Sequence, residues 1–192
     1  VAALPLAWVF VLDNIQKERF LALAYPELYT DVIYQQERGM AALGGGGITG
    51  QGSFQGRLTQ TPDAIPEAEN DMIFTVIGEE LGLVGTVLAL LLLTFIVIRI
   101  IRTGRHDNIG NTKVMCYGVA AMIAGQVIIN IGMCLMLLPV IGITLPFFSA
   151  GGSSNLCIYF SIGLILSFYR YNQQRDLIHV SQQNIYNPFS EV

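Results

Sequence analysis

Long apolar stretches alternate with polar connections along this chain, and that pattern predicts membrane-spanning helices. The longest charge-free stretch lies between Lys113 and Arg170, where no Asp, Glu, Lys, Arg or His occurs. Two spans of about 20 residues each, with a loop between them, fit into a stretch of that length. A second charge-free run, from Leu81 to Ile98, predicts a further span before it.

These stretches set the boundaries of the predicted segments. Complete spans are predicted at 71–98, 114–138 and 153–169. The opening apolar run at 1–12 is too short to cross a membrane, so we expect it to be the end of a transmembrane helix in a longer protein. The polar segments between and after them are a long connection at 13–70, loops at 99–113 and 139–152, and a tail at 170–192. The predicted fold is an all-α integral membrane protein.

The connection at 13–70 is too long for a plain loop, because structureless loops beyond about 15 residues are uncommon. Apolar residues recur in it at roughly helical spacing, which predicts an amphipathic helix lying in the membrane interface. These residues are Leu28, Val32, Ile33, Met40 and Leu43. The glycine-rich stretch at 44–56 is either a flexible connector or a place where the backbone closely approaches a ligand or headgroup. It spells a dinucleotide fingerprint at 45–50, but the flanking strand and helix are missing, so no nucleotide site is predicted.

The composition supports the membrane class. Hydrophobic residues make up 53% of the chain and charged residues only 12%, whereas soluble domains carry about a quarter charged residues. The net charge is −4, and no nucleic-acid partner is predicted. The three cysteines lie in apolar stretches without metal-site spacing, which predicts buried thiols acting as small hydrophobes: Cys116, Cys134 and Cys157.

The placement of charge predicts the orientation, since cytoplasmic loops are enriched in Lys and Arg. The loop at 99–113 holds four basic residues and one acid, whereas the segment 13–71 holds four basic residues and nine acids. The loop and the C-terminal tail are therefore predicted to be cytoplasmic. Three spans then place the long connection, the 139–152 loop and Asp71 on the outer face.

Asp71 stands at the mouth of the first complete span, where an ionisable group is costly and usually functional. Its structural interpretation is a helix cap, because Asn70 or Asp71 can accept hydrogen bonds from the first amides of the helix. Its chemical interpretation is a general base. Desolvation at the membrane edge and nearby negative charge both raise the pKa of a carboxylate and make it a usable base. The acids near Asp71 are Asp63, Glu67 and Glu69.

Two further acids, Glu79 and Glu80, follow about two turns deeper. Charges at that depth face a bundle interior, a cavity or a partner, and both pairing with a basic side chain and a chemical role stay open. In the second outer loop, Ser153 or Ser154 is a candidate cap for the last span. The alternative is that the backbone amides and hydroxyls of this loop line a site.

Three motifs in this order resemble the C-terminal half of the SEDS family, the shape, elongation, division and sporulation proteins typified by RodA and FtsW. Their cores read ALGGGGITGQG at 42–52, PEAENDMIFTVIGEELG at 66–82 and GITLPFFSAGGSS at 142–154. The resemblance covers roughly residues 15 to 170. It implies a ten-helix bundle, of which this chain would hold the end of the seventh helix and all of the last three.

The resemblance also implies a function. Members of the family are peptidoglycan glycosyltransferases of the bacterial cytoplasmic membrane that polymerise lipid II and work with a class B penicillin-binding protein. The essential acid of the family falls on Asp71, which favours the chemical interpretation. Two departures stand out: Glu69 and Asn70 replace the common His-Thr, and Ala150 replaces the Tyr that often precedes Gly-Gly-Ser-Ser.

The remaining candidates concern the substrate. A leaving pyrophosphate needs cationic or amide donors, and the substrate-binding candidates are Arg38, Arg57, Glu67, Ser153 and Ser154, with Lys17 and Arg19 behind them. No metal ligand or cofactor is assigned, and a divalent cation stays open. Two rival functions are a transporter of lipid-linked cell-wall precursors, with Glu79 and Glu80 along its path, and a non-catalytic scaffold for a transpeptidase.

Overall fold

The computed structural model describes residues 13–61, 65, 68–106 and 110–186. Every regular element within these ranges is a helix, so the all-α prediction is confirmed. The predicted helix end at 1–12 lies outside the described residues, and so do Asp63 and Glu67 in the long connection.

Two helices and a short turn precede the membrane spans. Helix α1 is Asn14–Ala24, and Asp13 caps it in a reciprocal arrangement in which the Asp13 amide donates to Gln16 Oε1 at 3.2 Å. Such capping satisfies amides that a helix start leaves without partners. A 3₁₀ turn at Pro26–Leu28 then leads into helix α2, Thr30–Gly45.

Three long helices follow: α3 is Ile73–His106, α4 is Gly110–Cys134 and α5 is Gly152–Tyr186. Each is long and apolar enough to cross a membrane, over Ile73–Arg105, Thr112–Cys134 and Gly152–Tyr171. Helices α3 and α5 extend past the predicted span ends at 98 and 169, because hydropathy marks only the apolar part of a helix whereas helical hydrogen bonding continues into polar residues. Helix α4 ends before the predicted 138, where the chain turns through Met136 with a φ of 57°.

Helix α2 is the helix predicted within the long connection, and the predicted apolar residues lie in different environments. Ile33 is buried together with Ala42 and the polar Gln36, and Leu43 packs against buried core residues. Met40 is exposed, and Leu28 lies exposed in the 3₁₀ turn before the helix. The difference arises because α2 packs against α3 and α4. Neighbouring helices therefore decide which side of α2 is covered.

Two apolar clusters hold the long helices together. The first joins α2, the start of α3 and the end of α4 and contains Ala42, Met72, Phe74, Leu93, Cys134 and Leu145. The second joins the far end of α3 to α4 and α5 and contains Ile100, Cys116, Ala120, Ile123, Ile158 and Ile165. The predicted burial of the cysteines is confirmed for Cys116 and Cys134, whereas Cys157 is exposed.

Helix α3 is broken within its predicted continuous span. Gly82 has a φ of 67° and a ψ of −162°, which is not helical. Glycine adopts a positive φ without a steric penalty, whereas other residues do so at a cost. In an unbroken helix the amides of residues 83 and 84 would donate to the carbonyls of residues 79 and 80, so the break frees two donors and two acceptors.

The glycine-rich loop supplies all four missing partners from its own backbone. The freed amides of Leu83 and Val84 donate to the carbonyls of Gly47 at 2.9 Å and Ile48 at 3.2 Å. In the other direction, the amides of residues 51 and 52 donate to the carbonyls of Glu79 at 2.9 Å and Glu80 at 3.0 Å. Buried backbone groups must be paired, so this loop and the break in α3 depend on each other.

Close packing of the loop on α3 explains its glycines. A Cβ atom on Gly46 would overlap the carbonyl oxygen of Gly78, and one on Gly50 would overlap the carbonyl oxygen of Glu80. The interpretation of this stretch as a flexible connector is therefore wrong. Its backbone does make a close approach, but the described contact is with another part of the same chain rather than with a ligand or headgroup.

We expect Gly46→Ala to lower the thermal unfolding midpoint of the detergent-solubilised protein. Its Cβ would meet the backbone at Gly78, and overpacking of this kind costs about 1–3 kcal/mol. Gly44→Ala is the matched control, because nothing lies within 4 Å of the Cβ position there and alanine is favoured over glycine in a helix. Equal midpoints for the two variants would contradict this account of the loop.

Candidate active site

Asp71 lies in the turn that leads into α3 and is only 8% exposed. The helix begins two residues later, at Ile73. Met72, between them, is fully buried in the first apolar cluster. The carboxylate therefore belongs to a residue whose position is fixed by packing at the entrance of the helix.

Asn130 of α4 fixes the backbone at Asp71. It is fully buried, and its Nδ2 donates to the carbonyl of Asp71 and to the carbonyl of Ile143, both at 2.7 Å. An amide nitrogen has two donors, and both are used here. Asn130 thus ties α4, the Asp71 turn and the 139–151 loop to one point.

The 139–151 loop lies directly beside this turn. The amide of Ala150 donates to the carbonyl of Glu69 at 2.9 Å. Gly142 has a φ of 79°, and a Cβ at this position would lie 3.8 Å from Asp71 Oδ2. The loop backbone at Gly142 therefore lies close to the carboxylate of Asp71.

Polar side chains from α1 and α2 hold the start of the same loop. Gln36, which is 3% exposed, donates through Nε2 to the carbonyls of Met133 at 2.9 Å and Leu138 at 2.7 Å. Arg19 donates to the carbonyl of Val140 at 2.8 Å. Arg19, one of the weaker candidates for binding the pyrophosphate, therefore binds the loop backbone in this structure.

The serines at the end of the loop do not cap α5 as predicted. The helix already begins at Gly152, so Ser153 and Ser154 lie in its first turn. Ser153 is exposed, and Ser154 Oγ accepts a hydrogen bond from Thr144 Oγ1 at 2.9 Å. The cap prediction is wrong because the Gly-Gly pair allows the helix to start earlier than the first hydroxyl.

Glu79 binds backbone amides rather than a basic side chain in the described part of the chain. It is 1% exposed, and its two carboxylate oxygens accept from the amides of Leu58 at 2.9 Å and Thr59 at 2.8 Å. The side chain of Gln51 adds a longer contact of 3.4 Å. Charge-assisted bonds to amides are strong, so Glu79 fastens the 57–60 turn to α3.

Glu80 has a lighter role, accepting from the Gln60 side chain at 3.1 Å in an exposed position. Among the described residues, Glu79 and Glu80 therefore accept hydrogen bonds from amides instead of pairing with a basic side chain. The sequence left a basic partner open as one alternative, because charged residues can be recognised in a sequence. The backbone amides of a turn that is distant in sequence cannot be recognised in this way.

The predicted substrate-binding residues do not all gather at Asp71. Arg57 is exposed and lines a polar cavity with Gly45, Gln51 and Gln55. The adjoining amide of Leu58 binds Glu79, which places Arg57 about two helical turns, roughly 12 Å, along α3 from Asp71. Arg38 lies on α2 with its guanidinium 5.1 Å from the ring centroid of Tyr34.

Two points concern Glu67 and the open question of a divalent cation. Glu67 lies outside the described residues, so its predicted role stays a prediction. Among the residues that the structure describes, no three His, Cys, Asp or Glu side chains are grouped so that they could hold a metal ion.

Sequence reasoning missed Asn130, Gln36 and Gly142 as parts of the site. A signal existed for Asn130, since a polar residue within a charge-free span is a candidate for a specific internal partner. Gly142 and Gln36 gave no comparable signal, because their roles depend on which segment lies opposite them.

The chain matches the sequence profile of the FtsW/RodA/SpoVE family, described as "Cell cycle protein", over residues 1–174. The peptidoglycan glycosyltransferase MrdB of Escherichia coli (strain K12) is 31% identical over 175 residues, which cover 90% of this chain and 46% of that protein. The probable peptidoglycan glycosyltransferase FtsW of Coxiella burnetii is 42% identical over 136 residues, covering 69% of this chain and 36% of that protein.

A solved structure shows the same fold. It comes from work on the structural coordination of polymerization and crosslinking by a peptidoglycan synthase complex, and the two chains superpose with a TM-score of 0.67 at 27% identity. The match covers 88% of this chain and 45% of the other. The chain thus spans less than half the length of these relatives.

Three apolar helices and an all-helical fold define a multi-pass membrane protein. The chain belongs to the FtsW/RodA/SpoVE family, the SEDS family that its motifs indicated. Membership indicates a location in the bacterial inner membrane.

We expect Asn130→Leu to destabilise the protein, because it removes the donor from one buried and one partly buried carbonyl. Leaving such groups without a donor costs about 1–3 kcal/mol each. Hydrogen exchange of the 139–151 backbone should accelerate, and the thermal midpoint should fall. Gln126→Leu on the same helix is the control, since the buried Gln126 Oε1 accepts no hydrogen bond in the described part of the chain. Unchanged exchange in Asn130→Leu would refute the anchoring role.

We expect Glu79→Gln to loosen the 57–60 turn, because glutamine offers one acceptor oxygen where two amides now donate. Hydrogen bonds to charged groups contribute about 1.5–3 kcal/mol. Limited trypsin digestion should show faster cleavage after Arg57. Glu80→Gln is the control and should change cleavage little, since its partner is an exposed side chain. Equal cleavage rates in the two variants would show that Glu79 does not fasten the turn.

Proposed function

We propose that the full-length protein is a peptidoglycan glycosyltransferase that polymerises lipid II, with Asp71 as its general base. The observation that carries this proposal is a buried carboxylate whose backbone is anchored by Asn130 and whose side chain is bordered by Gly142. Anchoring the backbone limits the positions that the carboxylate can take. The names of the relatives MrdB and FtsW supply the reaction class.

In the proposed reaction, the sugar hydroxyl of an acceptor lipid II donates its proton to the Asp71 carboxylate. The hydroxyl oxygen then attacks the anomeric carbon of the donor, and the bond from that carbon to oxygen breaks as undecaprenyl pyrophosphate leaves with the electron pair. A base must lie about 2.6–3.2 Å from the proton donor.

The leaving pyrophosphate carries negative charge that cationic groups stabilise. Arg57 is the better candidate in the described chain, because it is exposed beside a polar cavity. Arg38 is a second candidate. Ser153, Ser154 and Glu67 are proposed to bind the sugars or the peptide, and the rest of the protein is expected to contribute further groups.

We also propose that Asp71 works on the outer face of the membrane. The acidic connection at 13–71 and the basic loop at 99–113 support this orientation through the positive-inside rule, which also leaves the C-terminal tail cytoplasmic. At that face a lipid-linked substrate keeps its tail in the bilayer and its sugars in water. A class B penicillin-binding protein is the proposed partner, since the similar solved structure is of a complex that coordinates polymerization and crosslinking.

The decisive experiment measures polymerisation of lipid II by the full-length protein with its partner. Asp71→Asn keeps the shape but removes the base, and we expect the rate to fall about 10²–10⁴-fold, the usual contribution of general base catalysis. Thermal unfolding of the variant should match the parent. Glu69→Gln changes a nearby exposed acid and should leave most of the activity. Polymerisation at the parental rate by folded Asp71→Asn would overturn the catalytic role.

A further inference from the structure

Another cavity lies at the opposite end of α3 from Asp71. It measures about 490 Å³ and is lined by Arg99, Arg102, Thr103, Leu166 and Tyr169. The size is within the range of about 300–1,000 Å³ that is typical of ligand pockets. Nothing in the proposed glycosyl transfer uses this cavity.

The cavity has one cationic wall and one apolar wall. Arg99 and Arg102 are three residues apart on α3, so they share a face of that helix. Leu166 and Tyr169 have the same spacing on α5 and face the same cavity. A ligand that fits this combination carries negative charge on one side and an apolar portion on the other.

The walls are held in place by buried packing behind them. Ile100, next to Arg99, and Ile165, next to Leu166, belong to one buried apolar cluster that joins α3, α4 and α5. Arg99, Arg102, Leu166 and Tyr169 are exposed, so they are available to a ligand. The cavity is therefore formed by a packed junction of helices rather than by side chains on a loop.

The depth of the cavity matches the lipid headgroups. Arg99 ends the charge-free run from Leu81 to Ile98. At 1.5 Å per residue this run is about 27 Å long, close to the hydrocarbon thickness of about 30 Å. The two guanidinium groups therefore reach the phosphate level of one leaflet. Tyr169 has the residue type that is enriched at this interface.

We propose that this cavity binds the headgroup of an anionic phospholipid such as phosphatidylglycerol. The two arginines would hold the phosphate, since guanidinium groups match phosphate geometry. Leu166 would contact the acyl chains. Basic pockets between membrane helices on the cytoplasmic side are a recognised location for anionic headgroups, and the basic loop at 99–113 favours that side.

The test uses the purified full-length protein and native mass spectrometry to count retained phosphatidylglycerol. Each arginine near an anionic lipid is expected to contribute about five-fold in binding, so Arg99→Gln/Arg102→Gln should lose roughly 25-fold. Arg99→Lys/Arg102→Lys keeps the charge and should retain much of the binding. Arg105→Gln is the matched control, because Arg105 is exposed on the same helix but is not among the described residues that line the cavity.

Several outcomes would overturn the proposal. They are retention within two-fold of the parent in the folded double Gln variant, an equal loss in Arg105→Gln, and equal retention of zwitterionic phosphatidylethanolamine. Displacement of the lipid by millimolar inorganic phosphate would assign the cavity to a soluble anion instead. The measurement needs no lipid II, so its result is independent of the proposed glycosyl transfer.

Discussion

The break in α3 at Gly82 is the constraint on which much of the described structure depends. It frees two amides and two carbonyls in a helix whose apolar character places it in a membrane, where water is scarce and unpaired backbone groups are costly. The glycine-rich loop provides four backbone partners. Glu79, just before the break, then binds the amides of Leu58 and Thr59. The 47–59 part of the long connection is thereby fastened to α3, and irregular backbone is stable beside a membrane span.

The site is built on a similar use of polar groups within an apolar bundle. Asn130 and Gln36 donate their amide hydrogens to carbonyls at the ends of segments far apart in the chain. Neutral amides avoid the large desolvation cost of buried charges, and they fix backbone positions through two bonds each. The buried carboxylate of Asp71 at the mouth of α3 therefore lies on a backbone that is positioned by hydrogen bonds from neutral amides. Such support is what a positioned general base needs.

Several parts of this structure could be predicted from the sequence, and several could not. Charge-free stretches identified three apolar helices, and the position of Asp71 at a helix mouth followed from the end of one of them. The cap by Ser153 or Ser154, the flexible connector and the ion pair for Glu79 were wrong in the described part of the chain. The cap failed because α5 already begins at Gly152. The other two depended on partners elsewhere in the sequence, which are the backbone of α3 for the glycine-rich loop and the amides of Leu58 and Thr59 for Glu79.

The sequence by itself determined the membrane class, the approximate spans, the family and the acid at the mouth of α3, because these depend on composition and on local order along the chain. Tertiary structure alone decided that α3 breaks at Gly82 and that Gly142 borders Asp71. It also decided that Arg57 lies near Glu79 rather than beside Asp71. A hydrogen bond forms only when donor and acceptor come within about 3 Å. That distance is set by the packing of helices and loops distant in sequence, which no local pattern records.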